Sequence, residues 1–254
     1  MTQVLLFLLC AGGPETVVGP VPGPVREHLG LSVFYTRYIA AGGLPIVSTG
    51  KVADGGLLEA RTIVLAMLQG REDLLAKIAR NKVRLAVMAP DEQTTDVPEH
   101  SDLKPKEYWD RRARGLGATR HRPAVSVGEE NLLGLPGDRY PGESILIHEF
   151  AHTIHLMGLR DLEKDFDNRL NAAHTEAKRL ELWKGTYADS NDEEYWAEGV
   201  QSYFNANSPK DGKQHNGIDT RNKLRAFDPV LFSLIDGVFR QNPWTWPGRP
   251  KRKD

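Results

Sequence analysis

Cysteine is almost missing from this chain: Cys10 stands alone among 254 residues. That excludes an internal disulfide framework and a metal site built from several thiolates. Charge of one sign is also missing, since the formal net charge is −1. Nothing global therefore draws the chain to nucleic acid or to an anionic membrane, and neither is expected as a partner. Two local basic excesses exist. Seven Lys/Arg against two Asp/Glu lie between Lys104 and Arg122, and a basic tail runs over 249–254. They read as a solvated face and a frayed end. Long apolar runs are missing too: Val4–Ala11 is too short for stable insertion across a bilayer. Core-forming residues are not scarce. Hydrophobic residues at 40% and charged residues at 26% exclude wholesale disorder, and the length suffices for one domain or two packed lobes.

Val4–Ala11 followed by Gly12-Gly13-Pro14 has the pattern of a secretory leader, although the usual basic flank before Val4 is absent. Residues 1–13 are read as a signal peptide, which implies a secreted or envelope protein, with cytoplasmic residence as the alternative. Residues 14–26, rich in Pro and Gly, are expected to form a linker. Strand patterns occupy Leu44–Ser48, Val83–Met88 and Pro123–Gly128. Helical spacing occupies Gly55–Gln69, Arg71–Arg80, Asp161–Leu182, Asp192–Asn205 and Pro229–Phe239. The polar, proline-broken stretch Asp91–Arg122 shows no period and reads as a long loop. The order predicts an α+β fold with a mixed sheet: one domain over 27–248, with a mixed lobe at 27–142 and a helical lobe at 143–248.

The most informative residues are His148-Glu149-Phe150-Ala151-His152. On a helix the histidines stand one turn apart, about 6 Å along the axis, so both rings reach one point. Glu149 projects about 100° away and flanks that point without occupying it. Two imidazoles beside a carboxylate suit a catalytic Zn²⁺ that activates water. Leu146, Ile147, Phe150, Ile154 and Met157 fall on one side, with His148, His152 and His155 on the other. His155 lies too far along the axis to join a tetrahedral site with both, and is expected to line the cleft or support the ligands.

A third ligand is expected from Asp192-Glu193-Glu194-Tyr195-Trp196-Ala197-Glu198. Glu194 and Glu198 share one stripe, which Gln201 extends, while Trp196, Val200, Tyr203 and Phe204 cover the other side. One carboxylate could ligate the metal and the other could accept a hydrogen bond from a ligand histidine.

These two runs, with Tyr187 seven residues before Glu194, resemble the gluzincin zinc metallopeptidases related to the catalytic domain of anthrax toxin lethal factor. The resemblance covers residues 143 to 205, with nothing comparable in the first 120. It implies a zincin-like fold, cleavage of a peptide or protein substrate, and one Zn²⁺ per chain. It further implies His148, His152 and Glu194 as ligands, Glu149 as the base, and Tyr187 as the group that stabilises the oxyanion or protonates the leaving group. Glu198 would be the carboxylate behind a ligand. A hydrolase of non-peptide amides or esters, or a non-catalytic binding module, are the alternatives.

In zincins a substrate pairs with an antiparallel edge strand above the metal. Pro123–Gly128 is the candidate here, with Val125, Val127 and Glu130 expected to meet substrate. Asp96, Glu99, His100 and Asp102 are read as solvated polar residues rather than a metal site. His215 is placed within reach of the cleft, and Trp244 and Trp246 are expected to pin the terminal segment.

Overall fold

The computed structural model describes residues 16–210 and 214–250. The expected leader at 1–13 lies outside them. Six strands form one mixed sheet: β1 (Gly19–Pro20), β2 (Arg37–Ala41), β3 (Leu44–Ser48), β4 (Arg84–Met88), β5 (Gly115–Leu116) and β6 (Ala124–Gly128), in the order β1-β2-β3-β4-β6-β5. β3, β4 and β6 run parallel, with Val47 beside Ala86 and Ala86 beside Ser126. β5 returns antiparallel on the outer side of β6, Gly115 facing Val127.

Helix α1 (Gly23–Leu29) precedes the β2–β3 hairpin, and α2 (Asp54–Met67) and α3 (Glu72–Arg80) carry the chain from β3 to β4. Between β4 and β5 lies α4 (Lys106–Arg112), and α5 (Glu129–Leu133) follows β6. The rest is helical: α6 (Ile145–Ile154), a π-helical turn at His155–Leu159, α7 (Arg160–Leu162), α8 (Phe166–Arg179), α9 (Asp192–Tyr203), α10 (Arg221–Phe227) and α11 (Pro229–Val238). This is an α+β fold.

Parallel strands must bury both faces, and the two-residue period achieves that. Ile46, Leu85, Val87, Val125 and Val127 join Leu57, Val64, Ile147, Phe150 and Trp196 in the main core. The alternate residues Val47, Ala86 and Met88 pack with Leu31, Tyr35 and Val97 in a second core, against which Val25 and Leu29 of α1 rest.

The stretch expected as a linker is structured from Gly19 onward. Gly19 and Pro20 pair with Tyr38 and Arg37, and α1 tolerates its early proline because the first helical amides need no partner. The stretch 91–122 is not a featureless loop either. It contains single 3-10 turns at Thr94–Asp96 and Pro98–His100, then α4 and β5. Elements of two to seven residues are too short for a hydrophobic period to reveal them.

The basic residues there are largely paired within the molecule: Lys106 with Asp110 at 3.1 Å, Arg122 with Asp102 at 2.8 Å, Arg120 with Asp161, and Arg114 with Glu130. The acidic set expected to be solvated is dispersed: Asp96 accepts from the Gln93 amide, Glu99 pairs with Arg84 at 3.0 Å, and His100 is buried against Ser126 at 3.2 Å. At the other end, Arg249 is no frayed residue. Its guanidinium donates to the carbonyls of Asn131 at 3.0 Å and Tyr140 at 2.8 Å. Trp244 packs on Phe204, and the Trp246 amide donates to the Phe204 carbonyl at 2.7 Å. Among the described residues no helix is long and apolar enough to cross a membrane.

His100 gives this fold a defined acid sensitivity. Burial pushes its imidazole down to about 4, against a hydrogen bond to the Glu99 backbone and the charge of Asp102, with Arg122 adding to the fall. The unfolded chain takes up the proton near the ordinary value of 6.5, so stability is full above that pH and declines as pH falls towards 4. The loss attributable to this residue should approach about 3 kcal/mol. His100→Gln, which keeps a polar group but does not titrate, should show a shallower decline in urea unfolding at pH 7, 5.5 and 4.5. Parallel curves for the two proteins would remove His100 from the account.

Candidate metal centre

Helix α6 starts where Ser144 caps it, the side chain accepting from the Ile147 amide, while Asn131 of α5 accepts from the Ile145 amide at 2.9 Å. Leu146, Ile147, Phe150 and Ile154 anchor it in the core, and Trp196 of α9 donates its indole N–H to the Ala151 carbonyl at 2.9 Å. The remaining side presents His148, Glu149 and His152 to a cleft of about 440 Å³.

Helix α9 meets this side. Asn191 caps it by accepting from the Glu194 amide at 2.9 Å, and Asp192, Glu193 and Glu194 occupy the first turn, where the helix dipole favours anions. Glu194 Oε2 lies 3.2 Å from His148 Nε2 and 3.3 Å from His152 Nε2. The two Nε2 atoms are themselves 3.2 Å apart. Two imidazoles and a carboxylate thus converge in a nearly equilateral triangle that could hold a metal ion.

The atoms behind the triangle prepare it. His148 Nδ1 faces Gln201 Oε1 at 3.1 Å and Glu198 Oε1 at 3.5 Å. Both are acceptors, so when the ring is neutral, as a metal ligand must be, its hydrogen stays on Nδ1 and the Nε2 lone pair faces the triangle. The Gln201 amide is oriented by its own donation to the Ser144 carbonyl at 3.2 Å. Glu198 accepts from Asn207 at 3.0 Å and lies 3.3 Å from His215 Nδ1, which puts His215 in the cleft wall.

Electrostatics agree with the geometry. Burial disfavours a charged His148, but its hydrogen bond to Glu194 and the nearby Glu149 and Glu198 outweigh burial and lift it to about 10. Burial likewise resists charge on Glu194, yet His148 and His152 hold its carboxyl well below the usual carboxylate range. An anion buried between imidazoles is a charge pattern that a metal cation can take over. Burial pushes the Glu149 carboxyl up, against the pull of the same two histidines.

Tyr187 stands over the triangle. Its ring stacks on His148 with centroids 6.3 Å apart, its amide donates to the Gln214 carbonyl at 2.9 Å, and its hydroxyl accepts from Arg112 Nη2 at 2.8 Å. Burial, then the charge of Glu194, raises its phenol, with Arg112 opposing.

Other expected residues lie elsewhere. Val125 and Val127 are fully buried in the main core, and the backbone of β6 is already hydrogen-bonded on both sides, by β4 and by β5. They cannot meet a substrate. Glu130 is also buried, in a two-point pair with Arg114 at 2.6 and 2.8 Å. The strand bordering the cleft is instead the edge strand β5 with Gly117 after it. Here glycine is required for close approach: a Cβ at Gly115 would lie 2.6 Å from Ile145 Cγ2 and 2.9 Å from Glu149 Cγ, and one at Gly117 would lie 2.6 Å from His152 Cβ. His155 does not line the cleft. It binds Asp167 at 2.7 Å and packs edge-on to Phe166, because α8 covers that end of the helix.

Four contributors lacked a decisive sequence signal. Gln201 lies on the Glu194–Glu198 stripe, which hinted at its place. Arg112, Glu143 and Gly115–Gly117 line the cleft without any local motif to mark them. No protein-family model matches this chain, and no curated protein matches it.

Proposed function

We propose that this chain is a zinc-dependent hydrolase that cleaves peptide bonds, a gluzincin with a zincin-like fold. The observation that carries the proposal is the triangle of His148 Nε2, His152 Nε2 and Glu194 Oε2, with edges of 3.2, 3.2 and 3.3 Å, facing a cleft that also holds Glu149 and Tyr187. A regular tetrahedron with edges near 3.3 Å has its centre about 2.0 Å from each corner, the distance at which imidazole nitrogen and carboxylate oxygen bind zinc. The donor set supplies three protein ligands and leaves the fourth corner open to the cleft, as catalytic zinc sites do.

Zinc held there would act as a Lewis acid, polarising the scissile carbonyl and making a bound water more acidic. Glu149 serves as general base, taking the proton of the attacking water and passing it to the leaving amine. Burial raises its carboxyl, which makes the carboxylate a stronger acceptor for the water proton in the first of these transfers. Tyr187 donates its hydroxyl hydrogen to the oxygen that gains charge in the transition state. Gln201 and Glu198 keep His148 in the ligating tautomer. The free edge of β5 offers backbone amides and carbonyls to an extended substrate chain, which favours a peptide over a small ester.

Metal analysis of the purified full-length protein should find a single zinc ion. A peptide-library digest should stop with 1,10-phenanthroline and resume with added zinc. Tyr187→Phe should keep its zinc and lose roughly 10²–10³-fold in kcat, the usual cost of one oxyanion donor. Iron in place of zinc, or cleavage indifferent to the chelator, would sink the proposal.

A further inference from the structure

We propose that Arg112 is a positioning residue that fixes the hydroxyl of Tyr187 and aims its hydrogen into the cleft. The inference rests on the peptidase reading for its catalytic consequence but not for the contact itself. A phenol oxygen has one hydrogen to give and lone pairs to accept with, whereas a guanidinium can only donate. Arg112 Nη2, 2.8 Å from the Tyr187 oxygen, therefore occupies a lone pair and cannot take the phenol hydrogen. That hydrogen has to point elsewhere. The phenol hydrogen-bonds Glu194, which lines the cleft, so the hydrogen is directed to the open side.

The rest of Tyr187 is already held. Its ring is stacked at 26° to the plane of His148, and its amide is bound to Gln214. Arg112, together with the hydrogen bond to Glu194, restrains rotation of the hydroxyl about its C–O bond. The backbone that carries the guanidinium is itself anchored. Tyr140 donates its hydroxyl to the Arg112 carbonyl at 2.8 Å, and Arg139 donates to the carbonyls of Asp110 and Ala113 at 3.3 and 3.4 Å. The end of α4 is thus tied to the segment that leads into α6. Trp109, one turn earlier on α4, lies under the guanidinium with its ring centroid 5.9 Å from Cζ. A charged donor on the phenol oxygen also polarises the O–H bond, so the hydrogen bond it makes to a developing oxyanion is strengthened. Lysine in this place would supply the charge without the planar, pre-aligned fork. This gives the irregular stretch 91–122 a function at the site.

Two measurements test the assignment. The first needs neither metal nor substrate. In metal-free protein carrying 13Cζ-tyrosine, Arg112→Gln should move the Tyr187 resonance, identified by its absence in Tyr187→Phe, and leave Tyr35, Tyr195 and Tyr203 in place. An unmoved Tyr187 resonance overturns the proposal whatever the protein catalyses. The second uses the peptide cleaved fastest by the zinc-loaded wild type in the library digest. Arg112→Gln should lower kcat by about 10–100-fold, the range found when a partner that orients an active group is lost, with KM nearly unchanged. Arg112→Lys should recover part of the rate. In the Tyr187→Phe background, Arg112→Gln should cost almost nothing further, since the group it acts through is gone. Losses that multiply in the double variant, or a raised KM at constant kcat, would show that Arg112 binds substrate directly and overturn the positioning role. Failure of the wild type to cleave any peptide counts against the peptidase reading, while the resonance still decides the contact.

Discussion

Glu194→Ala should leave the protein unable to hold a metal ion at concentrations where Glu193→Ala remains loaded. The two carboxylates are neighbours in the first turn of α9, so the pair controls for helix charge and capping. Their side chains diverge: Glu194 reaches the imidazoles of His148 and His152, whereas Glu193 pairs with Arg160 at 3.3 Å. Truncating Glu194 removes one of three donors and the only anion among them. The fall in affinity should therefore exceed the roughly 10–100-fold that follows loss of a mere supporting partner. Competition with a calibrated chromogenic chelator measures it. Equal affinities in the two variants would dissolve the triangle as a metal site.

Glu149→Gln should separate metal binding from turnover. The amide has nearly the shape of the carboxylate but cannot take a proton, and loss of a general base typically costs ~10²–10⁴-fold in rate. Glu149 is not one of the three converging groups, so zinc content should match the wild type. Nor should folding suffer. Burial already disfavours the charged carboxylate at this position, so neutralising it removes a desolvation cost while forfeiting the attraction of His148 and His152. Initial rates, zinc stoichiometry and the thermal midpoint, taken together, decide the matter. A zinc-loaded variant that hydrolyses peptide at the wild-type rate would rule out Glu149 as the base.

Local periodicity made part of this protein legible without coordinates. The one-turn spacing of His148 and His152 brings two imidazoles together on any helix, and the apolar residues between and around them make that stretch helical. The stripe of Glu194, Glu198 and Gln201 follows from the same geometry, as do the strands at 44–48, 84–88 and 124–128 from their runs of apolar residues. These features depend on spacings of a few residues. Other parts are pairings between distant segments. Nothing in Val125 or Val127 reveals that β5 will arrive on the outer side of their strand and take over the edge. His155 shares the histidine stripe in sequence, yet α8 closes over it and binds it to Asp167. Arg112 meets Tyr187 across 75 positions, and Glu194 meets His148 across 46. The first pairing left no sign in local pattern, while the second did so only because each partner stands on a helix with polar side chains repeated one turn apart. Sequence by itself determined which helix faces carry His148, His152 and Glu194, since periodicity alone sets those. Tertiary structure decided which of those faces meet, which strand is left at the edge and which polar groups are enclosed, because side-chain packing between distant segments fills space in only one arrangement.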